Sequence, residues 1–486
     1  MSEQFGVIII GGGLAGLVCG AKLSHEGINV LLLEQNNVPG GCATTYRHKD
    51  FNIEVGLHAM DGFDGGNLKN KIFRELNVFE NIDFIPTEIF YRFVHRGSDL
   101  IVPHDHKKAI GLFTAKFPDQ SKGLNIYFDR LINHRKFRSV ETSSHTSLGD
   151  YLDSLFPDDE LKLALTGNLM AFSDNPYNLT LDYFAQAQGT FHLSSGVFIK
   201  KGSQQLSDYL MNYIITHGGT VKLRHHADKI IIRDHRAVGV EYHPVADPNL
   251  RIIAGSDYVV ANTSVINVVE GMISHPEMKK HYEGCEIGSS MFTLYLCFNL
   301  PLKLLGNSAY CTCFMSDEIK NLRDVARTNH ADFENKHFIL TDYSQLDSGL
   351  TPNGKSFAAI VCTDYAEYWK HLSKEAYLKE KDRVSHLLIN RLEQYLPGVA
   401  KNIEYFDAAT PLTIERYTSN PAGSIYGFAQ SPQKVAAVNI LKFVDNLFIA
   451  SAWDKFGGGF SAVIYSGYFT AIDIMRHSRA GKQIKE

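Results

Sequence analysis

The stretch that decides the fold is Val7-Ile8-Ile9-Ile10-Gly11-Gly12-Gly13-Leu14-Ala15-Gly16, followed by Val30-Leu31-Leu32-Leu33-Glu34. Its two apolar runs have the length of buried strands. Between them, Leu14, Leu17 and Ala21 recur with helical spacing. The first 35 residues therefore predict a β-α-β unit with a glycine-rich turn between the first strand and the helix.

The glycine spacing Gly11-x-Gly13-x-x-Gly16 predicts a dinucleotide site because of this context, since the motif alone occurs by chance. Gly11 permits a tight turn, Gly13 lets the backbone approach a pyrophosphate, and Gly16 lets helix and strand pack closely. The helix N-terminus offers free N–H groups to the phosphates. Glu34, at the end of the next strand, can accept hydrogen bonds from a ribose diol, and its charge disfavours the 2′-phosphate of NADP.

Composition excludes several other classes of protein. The chain has 486 residues, of which 44% are hydrophobic and 21% are charged, so it is globular and long enough for more than one domain. A net charge of −5 makes nucleic acid a poor partner. The seven cysteines contain no C-x-x-C pair, and the pair in His104-Asp105-His106 lacks further ligands nearby, so we predict no metal site.

The N-terminus and the lengths of the apolar stretches bear on the expected cellular location. The N-terminus has no basic region before its apolar run, and no stretch of about 18 apolar residues occurs. We expect a cytoplasmic protein without a spanning helix, which can still contact a membrane peripherally. No obligate protein partner is evident.

Changes of character along the chain indicate two interleaved domains. The strand and helix patterns seen at the start of the chain recur after residue 196 and again over the last 80 residues. The intervening segments are more aromatic. We predict an α/β protein with a split Rossmann-type domain (1–65, 197–288 and 406–486). Residues 66–196 and 289–405 are predicted to form an α+β substrate domain.

A family resemblance identifies the dinucleotide. Pro39-Gly40-Gly41-Cys42 and Phe51–His58 resemble the segment after the ribose-binding acid in FAD-dependent amine oxidases and carotenoid desaturases. The closer likeness is to one branch, the phytoene desaturase, carotenoid isomerase and retinol saturase family. Gly41-Cys42 and Gly56-x-His58 look especially like its saturase and isomerase members. The resemblance implies FAD as cofactor.

Three later segments extend the resemblance in the same order along the chain. Lys200–Leu206, with Arg224–Ile232 behind it, is similar to the turn, helix and strand that contact the adenine half of FAD. Thr410–Gly427 is similar to a block near the flavin, and Leu447–Ala462 to the terminal flavin-binding motif. Many relatives have Gly-Asp where this chain has Ser451-Ala452, so an acidic FAD contact is absent or replaced here.

These blocks imply a set of cofactor-binding residues. They are Gly11, Gly13, Leu14, Ala15, Gly16, Glu34, Gln35, Gly40, Gly41, Cys42, Ala227, Asp228, Lys229, Asn262, Trp453, Gly458, Gly459, Phe460 and Ser461. The catalytic candidates are His58, Arg416, Tyr426 and Trp453. Our hypothesis is that Trp453 and Tyr426 shape an apolar wall, while His58 or Arg416 supplies a proton or a positive charge.

The resemblance implies an FAD-dependent oxidoreductase that acts on a long apolar polyene or isoprenoid-like substrate. Desaturation, saturation and cis–trans isomerisation all fit, because the flavin performs the hydride chemistry and the protein positions the substrate. Two alternatives stay open: an amine oxidase with a polar substrate, and a lipid-binding or prenyl-binding chaperone of the same architecture. The run Met291–Leu305 either lines a substrate tunnel or forms core sheet, and its last residues can touch lipid.

Overall fold

The computed structural model describes residues 3–63, 67–137, 146–330, 333–432 and 442–483. In chain order its strands are β1 (Gln4–Ile10), β2 (Val30–Glu34), β3 (Thr45–His48), β4 (Phe51–Glu54), β5 (Met60–Asp61), β6 (Phe84–Thr87), β7 (Tyr91–His95), β8 (Ser98–Val102), β9 (Gly196–Ile199), β10 (Thr220–Leu223), β11 (His225–Arg233), β12 (Arg236–Pro244), β13 (Ile252–Ala261), β14 (Ser290–Phe298), β15 (Cys311–Phe314), β16 (Phe338–Asp342), β17 (Ser356–Asp364), β18 (Ile403–Ala409) and β19 (Leu447–Ile449).

The α-helices of the described residues are α1 (Leu14–His25), α2 (Leu68–Glu75), α3 (His106–Lys116), α4 (Ser121–Ile132), α5 (His134–Phe137), α6 (Leu148–Leu155), α7 (Asp159–Leu165), α8 (Leu181–Ser194), α9 (Gln204–Thr216), α10 (Pro276–Lys279), α11 (Leu322–Asn329), α12 (Ala366–Lys370), α13 (Lys374–Tyr395), α14 (Pro411–Thr418) and α15 (Phe460–Gln483). A π-helical turn covers Asn267–Met272.

The first large sheet carries the predicted β-α-β unit. Its parallel strands run in the order β10-β2-β1-β13-β19, and β12 and β11 extend it antiparallel from the first half of β13. Strand β2 is buried throughout, as expected for a parallel strand covered on both faces. The α/β fold class is confirmed.

Helices α9 and α15 pack beside α1 on this sheet at very short range. A Cβ on Gly467 of α15 would lie 2.2 Å from the carbonyl oxygen of Ala15, and one on Gly20 would lie 2.8 Å from the side chain of Ile214 in α9. These close contacts fix α1, and they place its N-terminus at the carboxyl ends of the parallel strands.

The second large sheet has the order β18-β14-β17-β16-β15-β7-β8. One face packs against α13 through a core that includes Phe292, Leu294 and Leu296 of β14. The other face is turned toward the cavity described below. All pairs are antiparallel except β15 with β7, which joins residues more than 200 positions apart in the chain.

The domain boundaries remain a prediction, and the position of β18 concerns the boundary at residue 405. The strands of the first sheet lie within 1–65, 197–288 and 406–486, but β18 crosses the boundary at 405 and pairs with β14 in the second sheet. No helix among the described residues has both the length and the apolar character that a bilayer crossing requires.

Candidate cofactor and substrate site

One large cavity, of about 1980 Å³, is lined by residues of both large sheets. Pockets for a single small ligand usually measure roughly 300–1,000 Å³. The cavity therefore has room for two extended molecules at once.

The N-terminus of α1 forms a cradle for phosphate at one wall of this cavity. Gly13 is the N-cap and supplies no side-chain hydrogen bond, and the first intrahelical bond runs from the Leu17 N–H to the Gly13 carbonyl. The preceding N–H groups of Leu14 and Ala15, which line the cavity, thus have no partner within the helix. Uncapped N–H groups and the helix dipole fit a diphosphate.

The fingerprint glycines are required by close approaches around Asn262, which follows β13. A Cβ on Gly13 would lie 2.6 Å from Asn262 Oδ1, and one on Gly16 would lie 2.4 Å from the carbonyl oxygen of Gly11. Asn262 Nδ2 donates to the Ala450 carbonyl at 2.6 Å, while its buried Oδ1 has no protein partner. Asn262 thus fills the space behind the glycine turn, where neither Gly13 nor Gly16 could carry a side chain without displacing it.

Glu34 lies at the end of β2, where the fingerprint predicts the ribose-binding acid. It is 5% exposed, and its carboxylate accepts hydrogen bonds from the N–H groups of Gly12 and Asn36, both at 2.7 Å. Burial raises the pKa of this carboxyl. Glu34 therefore shapes the glycine turn and also presents an acceptor to the cavity.

His58 lies at the cavity wall with a defined tautomer. Its Nδ1 is 2.9 Å from the hydroxyl of Tyr343, which donates its own proton to the Leu57 carbonyl at 3.0 Å. His58 Nδ1 is therefore the donor of this pair, and Nε2 is left as an acceptor. Burial lowers the pKa of His58 to about 4, so the ring is neutral at pH 7.

Glu54, which the sequence analysis did not single out, holds the turn that carries His58. Its fully buried carboxylate accepts hydrogen bonds from the backbone and hydroxyl of Ser203, the hydroxyl of Thr45, and the N–H groups of Gly56 and Leu57. A buried carboxylate needs such donors. No motif spacing marks this role, because the donors come from three separate segments.

Tyr426 and Trp453 both line the cavity, but in different settings. Tyr426 packs on Gly458, where a Cβ would lie 2.4 Å from the tyrosine Cα. Trp453 is 2% exposed, and its indole Nε1 donates to Asn420 Oδ1 at 2.9 Å. Their role as an apolar wall stays a prediction.

Arg416 lines the same cavity as His58, and its role at the reacting centre stays a prediction. This exposed arginine of α14 shares a shallow pocket with Gln35, Asn36 and His226. Gln35 and Asn36 follow the ribose-binding Glu34 directly. The cause is the course of α14, whose end is joined to this segment by a hydrogen bond from Asn36 Nδ2 to the Tyr417 carbonyl at 3.0 Å.

A buried polar network adjoins the start of α15, and no sequence motif predicted it. The Lys69 side chain is fully buried; its Nζ lies 3.1 Å from Asp61 Oδ1 and 2.8 Å from Ser461 Oγ. Asp61, Ser461 and Tyr465 line the cavity. Lys69 lies in a helix with no motif, and only the tertiary fold brings it to Ser461.

Almost all predicted cofactor residues line the cavity together. These are Gly11, Gly13, Leu14, Ala15, Glu34, Gln35, Gly40, Gly41, Cys42, Ala227, Asp228, Asn262, Trp453, Gly458, Gly459, Phe460 and Ser461. Gly16 lies behind the turn, and the exposed Lys229 does not line the cavity.

The second sheet and the helices opposite it form the remaining wall, which we call the substrate arm. In β14, Met291, Thr293 and Tyr295 face the cavity while their neighbours lie in the core. The run Met291–Leu305 thus contributes to both the cavity wall and the core. The described residues of the arm are Thr87, Phe90, His104, Asn168, Met170, Phe172, Tyr183, Gln186, Ala187, Thr190, Phe191, Met291, Thr293, Tyr295, Tyr310, Cys311, Ile339, Thr341, Val361, Asp407, Ala408 and Ala409.

Comparison with known proteins identifies the relatives of this chain. A model of the NAD(P)-binding Rossmann-like domain matches residues 9–76. The chain is 24% identical to prolycopene isomerase from Daucus carota (97% of this chain, 80% of that protein) and 20% identical to all-trans-retinol 13,14-reductase from Danio rerio (87% and 78%). It is 21% identical to the lycopene-forming phytoene desaturase of Pseudescherichia vulneris (96% and 98%).

The chain is homologous to the phytoene desaturase, carotenoid isomerase and retinol saturase enzymes. It is an FAD-dependent oxidoreductase. The predicted cofactor is thereby confirmed, and the uncapped helix and the acidic strand end fit its diphosphate and its ribose.

Solved structures with the same fold include proteins of two other functions. Cyclohexylamine oxidase from Brevibacterium oxydans superimposes with a TM-score of 0.66 at 14% identity, covering 98% of this chain and 99% of its own. A Rab GDI from Plasmodium falciparum superimposes with a TM-score of 0.54 at 15% identity (97% and 98%). At such identities the likeness shows the fold alone.

Proposed function

We propose that this oxidoreductase acts on the carbon–carbon double bonds of a long, apolar polyene that lies in the substrate arm beside FAD. The observation that carries the proposal is the continuity of one cavity, in which a dinucleotide cradle opens into an arm lined almost entirely by uncharged side chains. The relatives named above as isomerase, reductase and desaturase act on prolycopene, all-trans-retinol and phytoene, which are molecules of this kind.

The chain's own residues provide a site for the whole cofactor. The N-terminus of α1 would hold the diphosphate, Glu34 the adenosine ribose, and the first turn of α15 the edge of the flavin ring. When bound, FAD supplies the acceptor and donor of hydride. The protein then has to align a substrate bond with the ring and exclude water.

The charge of the substrate arm favours a polyene over an amine. Among the described residues of the arm, Asp407 is the one carboxylate, and its Oδ1 lies 3.0 Å from Lys381 Nζ. Burial lowers the pKa of the one histidine, His104, to about 4, so that ring is uncharged at neutral pH. An ammonium group entering the arm would lose its hydration and meet only a carboxylate that already pairs with Lys381, which is costly. A polyene loses no hydrogen bonds on entry and gains from burial of its apolar surface.

The setting of His58 and Arg416 favours isomerisation over saturation. Saturation delivers a proton as well as a hydride to the product, whereas isomerisation delivers neither in net terms. His58 is neutral and presents an acceptor, and Arg416 lies beside Gln35 and Asn36. Neither candidate donor is therefore suited to protonate the substrate at neutral pH.

The test is turnover under anaerobic conditions with the purified holoprotein. Prolycopene, phytoene and all-trans-retinol are each incubated with the oxidised and with the reduced flavoprotein, and products are separated by chromatography. We expect isomerised polyene with no net change in flavin oxidation state. Bleaching of oxidised flavin by cyclohexylamine, with every polyene unchanged, would favour the amine oxidase. Flavin-free protein that binds a polyene without converting it would favour the lipid-binding chaperone.

A location at a membrane surface is also part of the proposal. An apolar polyene has to come from a bilayer or a carrier, and Leu304, in the loop predicted to touch lipid, is 69% exposed. We propose reversible contact of this loop with lipid, in a cytoplasmic protein.

A further inference from the structure

The pair of Lys69 and Asp61 is a buried ion pair at the edge of the cavity. The Lys69 side chain is 0% exposed and that of Asp61 is 7% exposed. Removing two charges from water costs several kcal/mol each, and an ion pair seldom recovers more than it loses. Stability alone therefore gives little reason for a lysine at this position.

Hydrogen bonds tie this pair to the first turn of α15. Lys69 Nζ donates to Ser461 Oγ at 2.8 Å, and the Ser461 hydroxyl donates to Asp61 Oδ1. Asn67 Nδ2 donates to Asp61 Oδ2 at 3.0 Å, and the Tyr465 hydroxyl donates to Asn67 Oδ1 at 2.6 Å. The pair therefore has a fixed position relative to the helix end.

That helix end faces the cavity with free donors. The first intrahelical bond of α15 joins the Val463 N–H to the Gly459 carbonyl, so the N–H groups of Phe460, Ser461 and Ala462 have no partner within the helix. Asp61 itself lines the cavity, and Lys69 lies one hydrogen bond behind it. Both charges are thus close to whatever occupies this end.

We propose that Lys69 and Asp61 are a positioning pair that sets the reduction potential of the bound flavin. A hydride adds two electrons and one proton to a neutral ring, so the reduced ring carries one extra negative charge. Lys69 stabilises that charge, and Asp61 opposes it. The inference rests on the proposed placement of the flavin ring at the N-terminus of α15.

The two residues have opposite effects on the potential, which distinguishes this role from a purely structural one. Lys69→Gln removes a positive charge and should lower the midpoint potential. Asp61→Asn removes a negative charge and should raise it. Because Asp61 lines the cavity whereas Lys69 lies behind it, Asp61→Asn should have the larger effect. A structural clamp would instead respond to both substitutions in the same direction.

The experiment measures the midpoint potential of FAD in the holoprotein by redox titration without substrate. Lys69→Arg keeps the charge and should match the wild type. Because arginine stays protonated, the Asp61→Asn change is also made in the Lys69→Arg background. The matched control is Lys336→Gln, since Lys336 forms a similarly buried pair with Asp364, at 3.1 Å, away from the cavity.

We expect Lys69→Gln to lower the midpoint potential and Asp61→Asn to raise it, each by at least about 30 mV. For a two-electron couple this shift equals a tenfold change in the ratio of the dissociation constants of oxidised and reduced FAD. Lys336→Gln should leave it unchanged. Shifts of one sign, or none, overturn the inference. If Lys69→Gln does not fold, the comparison of Lys69→Arg with and without Asp61→Asn decides. Opposite shifts without polyene turnover would sustain the inference while refuting the proposed substrate.

Discussion

A collision inside the glycine turn gives a prediction that can be tested by a double-mutant cycle. The methyl group of Gly13→Ala would lie 2.6 Å from Asn262 Oδ1, well inside van der Waals contact. The backbone at Gly13 has φ −68° and ψ 167°, which alanine adopts freely, so the collision is the whole cost. The contact atom ends a side chain, and rotating that amide relieves the collision.

The rotation has a cost that the structure defines. Asn262 Nδ2 gives up its hydrogen bond to the Ala450 carbonyl, worth about 0.5–1.5 kcal/mol, and an overpacked site typically loses about 1–3 kcal/mol. Asn262 lines the cavity, so the displaced amide also competes with the cofactor for space. We expect the dissociation constant of FAD to rise roughly five- to 150-fold in Gly13→Ala, which corresponds to about 1–3 kcal/mol.

Asn262→Ala should largely rescue Gly13→Ala, because it removes the oxygen that the methyl group meets. It should not rescue Gly16→Ala, whose methyl group would lie 2.4 Å from the backbone oxygen of Gly11. The assay is titration of each apoprotein with FAD, followed by flavin fluorescence. The prediction is refuted if the loss of FAD affinity in the double variant equals the sum of the losses in Gly13→Ala and Asn262→Ala. In that case the methyl group collides with the phosphate rather than with Asn262.

Three further predictions concern single residues. His58→Gln should lower polyene turnover less than tenfold, or about 1.4 kcal/mol, with FAD content as control, because His58 is not the proton donor; a larger loss would restore it to that role. Burial raises the pKa of Asp454 to about 6. Between about pH 4 and pH 6 the folded state therefore binds more protons than the unfolded state, so the free energy of unfolding falls as pH rises through that window. Asp454→Asn should flatten this dependence in thermal unfolding measured at pH 4.5 and pH 7, and an unchanged slope would count against it. Leu304→Asp should reduce flotation with zwitterionic liposomes, whereas Ile253→Asp, at a site 50% exposed on the first sheet, should not; equal losses would refute the membrane contact.

The nucleotide half of the fold could be predicted because its signals are local. The strand β1, the glycine turn, α1 and β2 follow one another within 35 residues. Each glycine has a steric reason that acts over a short range, as the contacts of Gly16 with Gly11 and Asn262 illustrate. The segments around Gly41 and Gly458, which the resemblance assigns to the cofactor, line the same cavity.

The substrate half could not be predicted in the same detail because its pairings are long-range. Strand β7 joins β15 across more than 200 residues, and no local pattern encodes that register. From its sequence, the apolar run of β14 fitted either a core strand or a tunnel wall. In the structure its side chains alternate, so Met291 and Thr293 face the cavity and Phe292 lies in the core.

The polar groups of the site show the same limit. The roles of Glu54 and Lys69 depend on partners from distant segments, so sequence spacing gave no sign of either. Arg416 was expected near the flavin because it stands in a flavin block. Its helix places it beside Gln35 and Asn36 and at the wall of the large cavity. Whether it reaches the flavin stays a prediction.

We propose that FAD and an apolar polyene occupy one cavity side by side, and a crystal structure of the holoprotein with a bound polyene tests this. In that structure the adenosine ribose should lie at Glu34, the flavin ring at the first turn of α15, and the polyene against Met291, Ile339 and Val361 of the substrate arm. A polyene bound outside this arm, or a flavin whose ribose lies away from Glu34, would contradict it.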